Sequence, residues 1–234
     1  MDDLLPEIDV EEPASGLTLQ QRRRLATLLE VIAADAHSPT TIREPERAAR
    51  LHLADSLAAL ELGQVRNASR IADLGSGAGF PGLPLAVALP TAEVSLVESQ
   101  RRKCEFLERI RAAAGVENAE VVCARAEDWD DGAARNDLVV ARALAPQAVV
   151  LEYAAPLLRI GGSLVDWRGR RSSEEEAAGE RAAEILGMRR TEVLRVSSVA
   201  GVTDHHLHVF EKLRETPPRF PRRAGMARKR PLAV

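Results

Sequence analysis

The stretch IADLGSGAGFPGLPLAVALP, residues 71–90, constrains the fold more than any other part of this chain. A short apolar run, IADL, meets a loop carrying Gly75, Gly77, Gly79 and Gly82, and a second apolar run of helical length follows. Strand, glycine turn and helix in that order open a doubly wound α/β sheet. In such sheets ligands bind at the carboxyl ends of the strands, where the strand order reverses. Glycines in that first turn let the backbone come close to a ligand.

The pattern repeats downstream. VSLVE (94–98), EVVCA (120–124), DLVVA (137–141) and SLVDW (163–167) read as short buried strands. Helices are predicted from about Pro81 to Leu89, through Phe106, Leu107, Ile110 and Ala114 up to Gly115, near 145–158, and near 173–186. TEVLRV (191–196) and HLHVFEK (206–212) are expected to pair with each other as the last two strands. Apolar strands alternating with helices predict a mostly parallel sheet covered on both faces.

Ahead of the sheet, Thr18 and Gln21 fit a capping box, and Leu25, Leu28, Leu29 and Ile32 recur at helical spacing. This helix is expected to end near 37–39. A second is expected from Pro45 to Gly63 with Leu53, Leu57 and Leu60 on one face. The expected organisation is an acidic disordered tail (1–16), an N-terminal helical cap (17–66), an α/β domain (67–214) and a basic C-terminal tail (215–234). Residues 1–13 hold six acids and no base, whereas residues 217–234 hold six cations and no acid. The net charge of −3 gives no global basic field, so any attraction for nucleic acid is local to that tail. Cys104 and Cys123 stand at no metal-ligand spacing and read as small buried hydrophobes. No metal is expected. The start of the chain lacks a basic segment followed by an apolar core, and no apolar run approaches the roughly 18 residues of a membrane span. A cytoplasmic protein is expected.

The glycine loop fits two ligands. From Gly77 it matches G-x-G-x-x-G, the dinucleotide pattern; from Asp73 it matches D-x-G-x-G-x-G, the pattern of an S-adenosylmethionine site. A pyrophosphate would be repelled by the Asp73 carboxylate, whereas S-adenosylmethionine carries an ammonium and a sulfonium but no phosphate. Asp73 therefore favours S-adenosylmethionine. Glu98, at the end of the second strand, can accept from ribose hydroxyls of either cofactor.

With these motifs in place, DLGSGAGFPGLPLA, VESQRRKCEFL, ARAEDW and DLVVARALAP together resemble the RsmG (GidB) family of bacterial small-subunit ribosomal RNA methyltransferases, which modify ring nitrogen seven of a guanine. LHLADSL (51–57) resembles the family's H-x-x-D-S pattern, and TPPRFPRRAGMARKRPL its basic C-terminus. The resemblance implies a class I methyltransferase fold, Rossmann-like, with S-adenosylmethionine as cofactor. It places Gly75 and Phe80 at the cofactor, Ala126 and Glu127 around the adenine, and Arg142 beside the cleft. The expected cofactor set is thus Asp73, Gly75, Gly77, Gly79, Phe80, Glu98, Ala126, Glu127 and Arg142. Arg168, Arg222, Arg223, Arg228, Lys229 and Arg230 are expected to meet RNA. The expected partner is small-subunit ribosomal RNA or the subunit particle, met by a monomer. The chain departs from the family pattern at HSPTT (37–41), Leu51, Arg168 and His205, positions that bear on phosphate contacts rather than on the cofactor site.

A guanine ring nitrogen seven already carries a free lone pair, so no general base is required and none is assigned. His52, Asp55 and Ser56 do not form a hydrolytic triad, because neighbouring helical residues point to different sides. His52 and Asp55, three apart, are expected to link the cap to the cleft. Aromatic residues are only 3% of the chain, so RNA recognition is expected to rest on shape and phosphate contacts more than on base stacking. Since a fold does not name its acceptor, a methyltransferase acting on a small molecule or protein is the alternative, and a non-catalytic nucleotide-binding regulator a third reading.

Overall fold

The computed structural model describes residues 16–35, 49–196 and 204–232. Seven strands form one sheet: β1 (Arg70–Leu74), β2 (Glu93–Glu98), β3 (Ala119–Cys123), β4 (Asn136–Arg142), β5 (Leu158–Arg168), β6 (Met188–Arg195) and β7 (His206–Lys212). Their order across the sheet is β3-β2-β1-β4-β5-β7-β6. β1 to β5 run parallel, whereas β7 pairs antiparallel with both β5 and β6. The chain moves outward from β1 through β2 to β3, then returns to lay β4 on the other side of β1. The switch point therefore lies between β1 and β4, and the glycine loop leaves β1 there.

Side chains alternate across the strands and build two apolar layers. Ile71, Leu138, Val140 and Val165 face one layer with α1 (Leu19–Ala34), α2 (Gly82–Ala88) and α3 (Arg101–Ala113). Ala72, Leu74, Val139 and Ala141 face the other, with α4 (Gln147–Ala154) and α5 (Ser173–Leu186). The expected capping box is present: Gln21 N–H donates to Thr18 Oγ1, and Thr18 N–H to Gln21 Oε1. Gln21 Nε2 also donates to Val87 O at 2.9 Å, occupying an orphan carbonyl near the end of α2.

The structure revises several expectations. The second cap helix is not continuous. Ala49–Ala54 is a π-helical turn, Asp55–Leu57 is α-helical, Ala58–Glu61 is 3₁₀, and Gly63 starts a further turn to Arg66 instead of stopping one. Ser56 Oγ donates back to His52 O, a bond from side chain to the preceding turn of the kind that bends helices. α1 ends at Ala34, capped at Asp35; the expected stop at 37–39, the start at Pro45 and the acidic segment 1–15 lie outside the described residues. β5 begins five residues before SLVDW, because a register shift between Asn136 and Leu138 absorbs Arg159–Gly162 into the strand. Cys104 is buried as expected, but Cys123 is exposed, being on the edge strand β3.

Candidate functional site

At the carboxyl ends of β1, β2 and β4 the chain makes three closely spaced left-handed bends: Gly75, Gly77 and Gly79 have φ of +70°, +56° and +94°. Residues with a Cβ rarely adopt these angles. A Cβ on Gly75 or Gly79 would also collide with Leu144 or Leu83, whereas one on Gly77 would meet nothing nearer than Gly75 O at 3.6 Å. The backbone at Gly77 thus borders open space. Glu98 holds the loop in this shape. Its buried carboxylate accepts from Gly77 N–H at 3.2 Å and from Gln100 N–H at 2.8 Å, tying the loop after β1 to the loop after β2.

Asp73 lies beneath the loop. It is completely buried, and Oδ2 accepts from Gly82 N–H at 3.0 Å, while Oδ1 has no hydrogen-bond partner among the described residues. Burial raises its pKa to about 7, against the lowering by that bond. Gly82 is required by this arrangement, since a Cβ there would sit 2.6 Å from Asp73 Oδ2 and 2.5 Å from Leu96.

Two cavities open side by side on this edge, divided by Ala143 and Leu144. The first, about 350 Å³, is lined by Gly75, Glu98, Ala126, Glu127, Tyr153 and Arg228 among others. The second, about 450 Å³, is lined by Asp55, Arg142, Trp167, Arg168, Glu175 and His205 among others. Ala143 has φ of +53°, an uncommon angle for a residue with a side chain, at the boundary between the two.

The second cavity is organised around one carboxylate. Asp55, 1% exposed, accepts from Arg142 Nη1 at 3.0 Å through Oδ2, and its Oδ1 lies 2.9 Å from His205 Nδ1. Its backbone oxygen accepts from Trp167 Nε1 at 2.9 Å. Arg142 Nη2 donates to His52 Nδ1 at 3.2 Å, and its guanidinium lies 5.3 Å from the centre of the Phe80 ring. His52 stacks on Phe80 at 4.8 Å. Burial, with help from Arg142, lowers the His52 pKa to about 4, so the ring stays neutral and can accept. The hydrogen bond with Asp55 raises that of His205 above its ordinary value. The expected link from cap to cleft is thus present, and its partner is Arg142. His205, at a departure from the family pattern, carries a proton more readily than a free histidine.

Of the residues singled out in the sequence, Gly75, Glu98, Ala126 and Glu127 converge on the first cavity, and Arg142 and Arg168 on the second. Asp73, Gly77, Gly79 and Phe80 line neither; the first three shape the loop, and Phe80 packs against Arg142. Arg168 is engaged within the protein: Nη1 donates to Ala145 O at 2.8 Å and Nη2 pairs with Glu175. The basic tail is not a free arm. Arg222 is clamped on the buried Glu152, donating to both carboxylate oxygens, and Arg228 lines the first cavity, donating to Leu144 O at 2.9 Å. The sequence assigns these three arginines to phosphate. Each has a partner inside the fold instead, because a cation beside a carboxylate or an orphan carbonyl is well paired there. Arg223, Lys229 and Arg230 are exposed, as is Arg228 beside its bond to Leu144 O. Tyr153 and Trp167 line the cavities without standing in any motif; Trp167 closes the strand SLVDW, and nothing in the sequence singles out Tyr153.

Comparison with known proteins agrees with this geometry. The family profile GidB, rRNA small subunit methyltransferase G, matches residues 19–207. Ribosomal RNA small subunit methyltransferase G of Rubrobacter xylanophilus is 43% identical over 196 residues, covering 81% of this chain and 75% of that protein. The protein of the same name from Syntrophomonas wolfei is 41% identical over 183 residues, covering 77% and 85%. Among solved structures, the fibrillarin pre-rRNA processing protein of Methanococcus jannaschii superposes with a TM-score of 0.54 at 19% identity, covering 68% of this chain and 74% of that one. Aeropyrum pernix fibrillarin, solved with natively bound S-adenosyl-L-methionine, gives 0.53 at 20%, covering 65% and 72%. The structural likeness is one of fold, the class I methyltransferase fold, whereas the sequence likeness runs through cap, glycine loop and sheet alike. On that ground the chain belongs to the rRNA small subunit methyltransferase G family.

Proposed function

We propose that this protein transfers a methyl group to ring nitrogen seven of a guanine in small-subunit ribosomal RNA, with S-adenosylmethionine as the methyl donor. The observation that carries the reading is the pairing of a glycine-loop cavity with a second cavity, built around Arg142 and its partner Asp55, across a wall of two residues, Ala143 and Leu144. The first has the size of a small-ligand site, roughly 300–1,000 Å³. The strand-end Glu98 and the turn at Gly75 suit a nucleoside there. Glu98 would accept from the ribose, and Ala126 and Glu127 would flank the adenine. When bound, the cofactor supplies an electrophilic methyl group.

The chain's own residues then have positional work. Arg142 is held from three sides, by Asp55, His52 and Phe80, so its guanidinium cannot swing away from the cleft. Held there, Arg142 would offer its guanidinium to the guanine O6 from the wall of the second cavity. The guanine nitrogen attacks with its own lone pair, so nothing must remove a proton first. Rate enhancement comes from alignment, a source that can supply roughly 7–11 kcal/mol. Because its substrate is ribosomal RNA, the protein acts in the cytoplasm; no helix among the described residues is long and apolar enough to cross a membrane.

The test is to map N7-methylguanine in small-subunit ribosomal RNA from cells with and without this protein. One modified guanine that disappears with the protein and returns with the intact gene is the expected result. An unchanged map would remove the reading.

A further inference from the structure

We propose that the basic C-terminal segment, residues 222–230, is a wall of the cofactor cavity with Arg228 as the residue that meets the cofactor, so that the segment facing RNA also holds the cofactor in place. The proposal rests on the cofactor reading given above.

The segment is anchored along its length, and its anchors lead to the first cavity. Phe220 and Ala227 are buried in the apolar layer that α4 and α5 cover, which fixes both ends of the stretch. Between them Arg222 grips Glu152 of α4, a carboxylate only 1% exposed. Gly225 N–H donates to Glu127 Oε1 at 2.9 Å, and Gly225 has φ of +79°, so the chain can turn there to present that donor. Arg228 donates to Leu144 O at 2.9 Å and lies close to the Tyr153 hydroxyl. Glu127, Leu144 and Tyr153 all line the first cavity, as does Arg228 itself. The segment therefore does not merely lie over the sheet. It supplies one lining side chain, holds a second, Glu127, and bonds the backbone of a third, Leu144.

Charge supports the assignment. The lining of this cavity already holds Glu98 and Glu127, and Glu127 spends one oxygen on the tail backbone. Arg228 brings a planar guanidinium that can stack on a base or meet a carboxylate; S-adenosylmethionine carries both an adenine and an amino-acid carboxylate. Meanwhile Arg223, Lys229 and Arg230 are exposed to water on the same short stretch. RNA phosphates held by those three would restrain the segment whose inner side borders the cofactor. Cofactor and RNA binding then stabilise each other, and by linkage the effect is reciprocal.

Calorimetry with S-adenosylmethionine tests this on the full-length chain. Arg228→Ala should weaken cofactor binding about tenfold or more, the loss expected when hydrogen bonds to a charged group disappear. Arg223→Ala, outside the cavity, should leave the cofactor Kd unchanged. Thermal unfolding of both variants verifies that each is folded. If Arg228→Ala alone unfolds, Arg228→Lys, which keeps the charge but loses the planar fork, should still weaken binding severalfold. In the intact chain a saturating small-subunit RNA fragment should tighten S-adenosylmethionine severalfold, and Arg228→Ala should abolish that gain. Equal cofactor affinity in the intact chain and in a folded Arg228 variant overturns the proposal while the cofactor reading stands. An intact chain that binds no S-adenosylmethionine overturns both.

Discussion

Two side chains, Asp73 beneath the glycine loop and His205 in the second cavity, both hold a proton more firmly than usual, for different reasons. Asp73 is buried without an ion-pair partner, and its pKa stands at about 7 against an ordinary 3.8. Its protonated form is favoured in the folded state, so its contribution to stability is present at acid pH and lost as pH rises from 3.8 towards 7. Asp73→Asn removes the titration and keeps an acceptor for Gly82 N–H. The stability of wild type relative to this variant should fall between about pH 4 and pH 8, by on the order of 1.4 kcal/mol for each pH unit crossed between the unfolded and folded pKa. Urea unfolding at both ends of that range measures it, and a constant difference would show that Asp73 stays ionised throughout. His205 behaves as a base whose pKa is raised by the bond to Asp55. Its contribution is complete below the ordinary value of 6.5 and disappears as pH climbs through the raised one. His205→Gln should therefore destabilise more at about pH 6 than at about pH 9. The effect should stay below about 1 kcal/mol, because the His205 side chain is 42% exposed. Equal destabilisation at both would mean that the imidazole is not charged in the pair.

At the scale of elements, the glycine loop works as a single unit with the strand before it and the helix after it. Gly82 is the first residue of α2 and sits directly over Asp73. Gly82→Ala should lift α2 off β1, since its Cβ would face Asp73 and Leu96 at distances no real Cβ tolerates. Overpacking of this kind costs roughly 1–3 kcal/mol, and thermal denaturation should show it. A variant as stable as wild type would mean that the helix start shifts freely. Both this helix and the strands before and after it were legible in the sequence, because buried parallel strands are written as short apolar runs and turns as glycines. The broken helix at 49–66 was not. Leu53 and Leu57 keep helical spacing, so the apolar pattern cannot reveal that Asp55 and Ser56 bend the backbone by bonding to distant or preceding groups. The early start of β5 was hidden for a related reason, as Arg159–Gly162 has no strand pattern and is recruited by pairing alone. The cofactor-side residues were legible because they sit at strand ends in a recognisable motif. The Asp55 network and the tail contacts link residues from 70 to 150 positions apart, and no local pattern encodes such pairs.

For the whole molecule, what bears on RNA is which cations of the basic C-terminal stretch are taken up by internal pairing. The chain is acidic overall, at −3, so its attraction for a phosphate backbone must come from a local face. Of the six cations in the last eighteen residues, Arg222 is clamped on Glu152 and Arg228 lines the first cavity. Arg219 lies over the Phe220 ring at 5.2 Å. Arg219 and Arg228 are exposed besides these contacts, and Arg223, Lys229 and Arg230 are exposed on the same short stretch. Each phosphate neutralised releases counterions and contributes a slope near −0.7 to log affinity against log salt on a single strand. Replacing these three by alanine should therefore flatten the slope for a small-subunit RNA fragment by about 2. Replacing Arg222 should change the slope little and lower thermal stability instead, because it leaves a buried carboxylate unpaired. The two variants separate a phosphate-binding face from a structural clamp within one short segment of chain. If the triple variant keeps the full slope, the phosphates are met by cations outside this stretch, and the tail serves the cofactor side alone.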